Sequence, residues 1–354
     1  MPLGQIAFLG SGETSLAGGR IFESLARLIA DSSTHARQPS LRIAVMETAA
    51  GFELNSFQVA GRVAEFLRTR LQNYKPTIDI IPARRLGTEF SPDNPEILKP
   101  LLSANMIFMG PGSPSYAVRQ LRGTLAWDII RARHRLGAIL IFASAATISV
   151  GAWALPVYEI YKVGEDVHAL PGLDLFADYG MNLSFVPHWN NAEGGIDLDT
   201  SRCFVGIERF DQWRKLLPAE NILVGLDEHS GIIVDFENAA CEVSGVSSVS
   251  VLKQNGMEIH PAGAKFLLSE LGKFSLPLSL EQGIRPDAWE MVTHAARMEE
   301  EEDAPPVEAF GLLEQRKDAR TRKDFAESDR LRDQISALGW TVQDGKEGQL
   351  LAKK

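Results

Sequence analysis

The strongest constraint on the fold is a rhythm in the first half of the chain. Short, continuous apolar runs end in small or glycine-rich residues and alternate with helical spacing. The runs at residues 5–9 (QIAFL), 41–47 (LRIAVME), 77–81, 106–109 (MIFM) and 138–142 (AILIF) are too short for helices and read as buried strands. Between them, residues 57–71 place Val59, Val63, Phe66 and Leu67 at helical spacing, and residues 118–136 also read as helical. Strand, crossover helix, strand is the pattern of a parallel sheet covered on both faces. In such sheets the chemistry gathers at the carboxyl ends of the strands. That singles out residues 10–14, 48–52, 110–115 and 143–147.

Further along, residues 181–187, 222–227, 231–236 and 247–252 are strand candidates, and residues 262–271 read as a helix. A five-residue acidic run at 299–303, followed by Ala304-Pro305-Pro306, reads as a solvated linker. After it, Phe310, Leu313, Phe325, Leu331, Ile335 and Leu338 keep helical spacing up to Gly339, a helix stop. This predicts a helical hairpin with residues 340–351 as a short tail. The expected organisation is an α/β domain over 1–275, a helical and acidic linker over 276–306, and a small C-terminal helical domain over 307–354.

The 354 residues carry 36 Lys and Arg against 46 Asp and Glu, a net charge of −10. A chain of that sign is not drawn as a whole onto nucleic acid or an anionic membrane. No apolar run reaches the ~18–20 residues that span a bilayer. The first residues lack the basic start and cleavage site of a secretory signal. Two cysteines, Cys203 and Cys241, make neither a disulfide scaffold nor, alone, a structural zinc site. A cytoplasmic protein without cofactor or metal is expected.

The most informative segment is residues 139–152, ILIFASAATISVGA, where a buried strand runs into small residues around Ser144. A nucleophile on a sharp strand-to-helix turn needs such neighbours, because the bent backbone crowds side chains together. The plainer reading of the same residues is a close-packed helix start. His188, in VPHWNN, stands at the end of an apolar strand, where a base for serine belongs. His229, in Asp227-Glu228-His229, is the rival. A third group should orient the base, and spacing does not choose among Glu159, Glu165 and Asp166. The loop Gly110-Pro111-Gly112-Ser113-Pro114 is either a source of a backbone N–H or simply a tight turn. The glycines of residues 10–19 match neither a P-loop nor G-x-G-x-x-G.

Taken in order, FLGSGE, IFMGPGSPSY, Ser144-Ala145, Gly172-Leu173-Asp174-Leu175, VPHWNN and VGLDEHSGIIV resemble the class I glutamine-amidotransferase-like superfamily. Within it they resemble the serine branch, the S51 peptidases, which includes aspartyl dipeptidase and cyanophycinase. The resemblance covers roughly residues 4–260. It implies a flavodoxin-like, doubly wound, mostly parallel sheet. It places Ser144 on the family's nucleophile and His188 on its base. Glu165 lies nearest the acidic third member, with Glu159 the alternative. The N–H groups of Gly112 and Ala145 fall on the oxyanion hole, and Gly12, Ser113 and Asn190 are the substrate-binding candidates. The chain departs from the family elbow G-x-S-A-G-A at two glycines, which are Phe142 and Ala146 here. The turn is therefore either slightly relaxed, or the protein is a diverged member with weak or no hydrolase activity.

The tail resembles a different family. Arg316 to Phe325, Ser328-Asp329-Arg330-Leu331-Arg332-Asp333 and Leu338-Gly339-Trp340 are similar to the C-terminal helical region of cysteinyl-tRNA synthetase. The chain has no HIGH-like or KMSKS-like signature, so it is not itself a synthetase. Between Glu314 and Asp333 seven Lys or Arg face six Asp or Glu, a near-neutral surface that binds phosphate poorly. Docking on protein is favoured over contact with tRNA. The expected activity is that of a serine hydrolase acting on a peptide or amide bond of a small substrate. The alternative is an inactivated hydrolase scaffold used for binding or regulation, with tRNA as one partner. Self-association into a homo-oligomer is compatible with either.

Overall fold

The structure is a computed structural model and describes residues 3–31, 40–303, 305–345 and 348–353. The described residues form two compact units. One comprises the chain up to Ala26 together with Leu41–Val292. The other comprises the described parts of Arg27–Ser40 and Thr293–Lys354.

In the large unit the five apolar runs of the first half become strands β1 (Ile6–Leu9), β2 (Arg42–Met46), β3 (Thr77–Ile81), β4 (Met106–Met109) and β5 (Ile139–Ala143). They pair in parallel in the order β1-β5-β4-β2-β3. Every residue of β1, β4 and β5 is buried, which is why these strands read as continuous apolar runs rather than alternating ones. Two short strands, β6 (Trp153–Ala154) and β7 (Leu170–Pro171), pair with each other. The chain then builds β8 (Leu183–Val186), β9 (Ile222–Leu226), β10 (Ser230–Asp235), β11 (Ala240–Gly245), β12 (Ser248–Lys253), β13 (Gly256–Pro261) and β14 (Lys265–Leu267).

Strands β10, β11 and β14 extend the first sheet antiparallel beyond β1, giving eight strands in the order β14-β11-β10-β1-β5-β4-β2-β3. The remaining four make a second sheet, β13-β12-β9-β8, in which β8 and β9 run parallel. The two sheets share one core. Phe8 of β1 stacks on Phe185 of β8 with ring centroids 4.2 Å apart, and on Phe142 of β5 at 5.7 Å.

Three expectations are corrected here. Residues 262–271 are not a helix but β14 and a 3-10 turn, Leu268–Leu271, with Phe266 buried from the edge strand and Leu268 from the turn. The helical stretch 118–136 is two helices, Pro114–Leu121 and Leu125–Arg135, parted at Gly123, whose φ of 70° lies in the left-handed region. The boundary expected at 275 falls after Val292. Ile284, Ala288 and Val292 are buried in the core of the large unit, so the first half of helix Pro286–Asp303 is not linker.

In the small unit, helices Val307–Thr321 and Phe325–Ala337 form the expected hairpin. Asp324 caps the second helix by accepting from Glu327 N at 3.1 Å. The "short tail" is in fact a β-hairpin, Trp340–Gly345 with Gly348–Lys353. Its Trp340 and Leu351 close the core of Ala309, Leu313 and Ile335. Arg316 is 2% exposed and forms an ion pair with Asp344 at 3.3 Å, while Arg320 reaches the same carboxylate at 3.2 Å. Among the described residues no helix is long and apolar enough to cross a membrane.

Candidate active site

Strand β5 ends at Ala143, and the next residue, Ser144, turns the chain sharply into the short helix Ala145–Ser149. Ser144 adopts φ 52° and ψ −119°, a conformation that costs an ordinary L-residue energy and that proteins retain mainly where function requires it. The turn forms although neither Phe142 nor Ala146, on either side of it, is a glycine. Phe142 points into the aromatic core, and Ala146 is fully buried in the helix.

His188 and Glu228 arrive by one common device. Strands β8 and β9 are parallel neighbours with Val186 opposite Gly225. His188 lies two residues beyond the end of β8, and Glu228 two residues beyond the end of β9. The result is a chain of contacts: Ser144 Oγ to His188 Nε2 at 3.0 Å, and His188 Nδ1 to Glu228 Oε1 at 2.9 Å. With Nδ1–H donating to the carboxylate, Nε2 is left to accept from the serine hydroxyl. All three side chains are part-buried, open enough to meet a ligand.

Glu228 is well held. Asn191 Nδ2 donates to its Oε1 at 2.9 Å, and its own N–H donates to Asn190 Oδ1 at 2.8 Å. Partial burial raises its carboxyl pKa, but the hydrogen bonds from Asn191 and His188 outweigh this and hold it below the usual carboxylate range. Its neighbour Asp227 is unavailable to His188, being occupied by the hydroxyls of Ser247 and Ser248 at 2.6 Å each.

The acids expected from the sequence are elsewhere. Glu165 does not reach the ring; its carboxylate lies 3.8 Å from His168. Glu159, on a π-helical turn Glu159–Val163, accepts from Ser115 Oγ. The acid on His188 is Glu228. His229, the rival histidine, is exposed; its N–H donates to Ser11 Oγ at 3.1 Å, and its ring lies over Gly12. A Cβ on Gly12, whose φ is 73°, would sit 2.3 Å from His229 Nδ1. Asn190 is exposed and supports the Glu228 backbone, whereas Asn191, absent from the candidates, holds the carboxylate itself.

Of the two amides read as an oxyanion hole, that of Ala145 directly follows the serine, and that of Gly112 lies in the loop after β4, the parallel neighbour of β5. Around them, Ser144 N donates to Leu9 O, Ala146 N to Gly110 O and Ser113 N to Ala49 O. Among the described residues no backbone acceptor outside helices is found for Gly112 N–H or Ala145 N–H. Gly112 must be glycine: φ is 145°, and a Cβ would lie 2.0 Å from the Ala49 carbonyl oxygen. The opposing loop is braced by buried Glu47, which takes Arg84 Nε at 2.8 Å and Ser56 Oγ at 2.9 Å, and by Thr48 Oγ1 on Ala83 O at 2.7 Å.

Backbone strain concentrates here. Of the ten described non-glycine residues at positive φ, six are Ser144, His188, Arg202, Cys203, Phe204 and His229. Arg202, Cys203 and Phe204 form a left-handed turn that grips the histidine segment. Cys203 N donates to His188 O at 3.1 Å, Arg202 N donates to Trp189 O at 3.0 Å, and the Phe204 ring lies 5.2 Å from the His188 ring. The Arg202 guanidinium covers the Trp189 ring at 3.7 Å. Cys203 is no rival nucleophile, since burial and then the Glu228 charge push its thiol far above the usual range. Among the described residues one set of potential metal ligands, Glu258, His260 and Glu270, lies within 4.8 Å, and none of them belongs to this site.

The architecture has a solved counterpart. A peptidase from an acI-B1 actinobacterium superposes with a TM-score of 0.59 at 20% identity, over 75% of this chain and 97% of that one. The large unit has a peptidase-like fold. The other resemblance is local. Residues 303–350 match the cysteinyl-tRNA ligase anticodon binding domain. The cysteine–tRNA ligase of Bradyrhizobium sp. (strain BTAi1) is 57% identical over 44 residues, which is 12% of this chain and 9% of the ligase. That of Nitrobacter winogradskyi is 31% identical over 81 residues, which is 23% and 17%. The chain thus spans less than a fifth of the length of these ligases.

Proposed function

We propose that the large unit is a serine hydrolase that cleaves a peptide or amide bond of a small substrate. The observation that carries this reading is the unbroken contact chain Ser144–His188–Glu228 on a serine held at φ 52°. Ser144 Oγ attacks the carbonyl carbon while His188 Nε2 takes its proton. Glu228 fixes the ring and stabilises the imidazolium that forms. The Gly112 and Ala145 amides receive the developing oxyanion. Collapse expels the leaving amine, which takes the proton back from His188. Water then repeats the sequence on the acyl-serine. Buried free Cys203 and Cys241 fit a reducing compartment such as the cytoplasm.

The test is covalent labelling by an alkyl fluorophosphonate. Labelling of the intact protein that maps to Ser144 and vanishes in Ser144→Ala supports the reading. No labelling of the wild type, or labelling that survives the substitution, overturns it.

A second reading concerns the small unit alone, for which the match over residues 303–350 favours contact with tRNA. Its cations weaken that reading: Arg316 and Arg320 pair with Asp344, Lys317 with Glu314, Arg330 with Glu327 and Arg332 with Asp329. A salt-dependent tRNA shift that is lost on deleting residues 307–354 would support it, and absence of binding at low salt would remove it.

A further inference from the structure

Glu159 is the acid that the proposed mechanism leaves unused, and its setting is unusual for a carboxylate. One oxygen accepts the hydroxyl of Ser115; the other is buried without a hydrogen-bond partner. The nearby cation Lys162 is directed elsewhere, 4.3 Å over the Tyr158 ring. A carboxylate placed this way needs a reason, because burying an unpaired oxygen is costly.

The reason lies in what Ser115 touches. Its Oγ is 3.0 Å from Ser113 Oγ, and both serines are buried. A hydroxyl has one proton. Ser115 gives its proton to Glu159, so the bond between the serines must run from Ser113 to Ser115. Ser113 Oγ in turn accepts the Tyr116 N–H at 3.2 Å as the cap of helix Pro114–Leu121. The polarity of the whole relay, Ser113 to Ser115 to Glu159, is therefore fixed by the carboxylate at its end. Ser113 is bonded directly to Gly112, whose amide is the oxyanion donor in the proposed reaction.

We infer that Glu159 is a positioning residue: through Ser115 and Ser113 it locks the Gly112 peptide in the orientation that presents its N–H to the oxyanion. This rests on the serine-hydrolase reading. Glu159 touches neither the substrate nor the reacting atoms. A misplaced donor costs less than a deleted one, whose loss is worth ~100–1,000-fold in rate, so unlocking the loop should cost about 10–100-fold.

The experiment compares Glu159→Leu, which removes the acceptor, with Glu159→Gln, which retains one, and with Ser115→Ala, which breaks the middle of the relay. The rate of fluorophosphonate labelling at Ser144 should fall about 10–100-fold in Glu159→Leu and in Ser115→Ala. It should return to within a few-fold of wild type in Glu159→Gln, and the double variant should be no slower than either single one. Amide hydrogen exchange over residues 110–116 should quicken in Glu159→Leu and Ser115→Ala but not in Glu159→Gln. Wild-type labelling together with unchanged exchange in Glu159→Leu overturns the inference, as does failure of Gln to rescue. If Glu159→Leu does not fold, Ser115→Ala makes the same decision. If the wild type is not labelled at all, the hydrolase reading falls, and hydrogen exchange alone decides whether Glu159 orders the loop.

Discussion

His188 and Glu228 meet at 2.9 Å, although 40 residues separate them, because each stands two residues past the end of one member of a parallel strand pair. That shared offset fixes the Nδ1 side of the ring before any substrate is present.

Replacing Glu228 with Gln keeps its size but removes the negative charge and lets an amide N–H donate to Nδ1, which favours the wrong tautomer of His188. Labelling or turnover should fall ~1,000–10,000-fold, the scale of the equivalent loss in serine proteases. Glu165→Gln should stay at the wild-type rate. The pair of variants, assayed side by side, checks which acid orients the base.

The same carboxylate should shape acid stability. Its folded pKa is depressed, so the stability it contributes is present above the unfolded value of about 4.3 and is lost as pH falls through the folded value. Urea midpoints of wild type and Glu228→Gln should therefore converge as pH falls below about 4.

His134 gives a second pH signature at a higher pH. It is fully enclosed, and burial, followed by the Arg135 charge, lowers its pKa to about 4. The unfolded chain binds a proton there below about 6.5 that the folded chain refuses. Stability should decline from about pH 6.5 towards 4, and His134→Leu should flatten that slope in urea titrations even if it lowers the plateau.

Gly112→Ala should be more harmful than an ordinary surface glycine change. The added Cβ collides with the Ala49 carbonyl, so either the loop or the opposing backbone must shift. A loss of ~100–1,000-fold in labelling is expected, with a lowered thermal midpoint measured in parallel.

Introducing glycines at positions 142 and 146 should bring no gain. Ser144 already holds its bent conformation, so Ala146→Gly should leave the labelling rate within a few-fold while costing about 0.5–1 kcal/mol in the helix. Phe142→Gly would remove a buried ring stacked on Phe8 and cost at least ~3–5 kcal/mol. Chemical denaturation separates these outcomes from catalysis.

Much of this was legible in the residues. QIAFL, MIFM and AILIF are apolar throughout because their strands are covered on both faces, and that pattern located Ser144 at a strand end. The acid was missed for a positional reason. It was sought between Ser144 and His188 in the chain, whereas sheet pairing delivers it from beyond the histidine. The sign available was the strand at 222–226, whose end stands to Glu228 as the end of β8 stands to His188. The segment 262–271 misled because Phe266 and Leu268 are buried from an edge strand and a turn, and so short a stretch has no clear period. Residues 340–351 read only as a short tail because Trp340 and Leu351 acquire a core only once the two helices exist.

His188 and Glu228 follow strands of one sheet, while Ser144 follows a strand of the other. Thermal loosening of the packing between Phe8 and Phe185 would thus part hydroxyl from imidazole while leaving imidazole and carboxylate together. Any shift of one sheet against the other would therefore strain the Ser144–His188 contact before the His188–Glu228 contact.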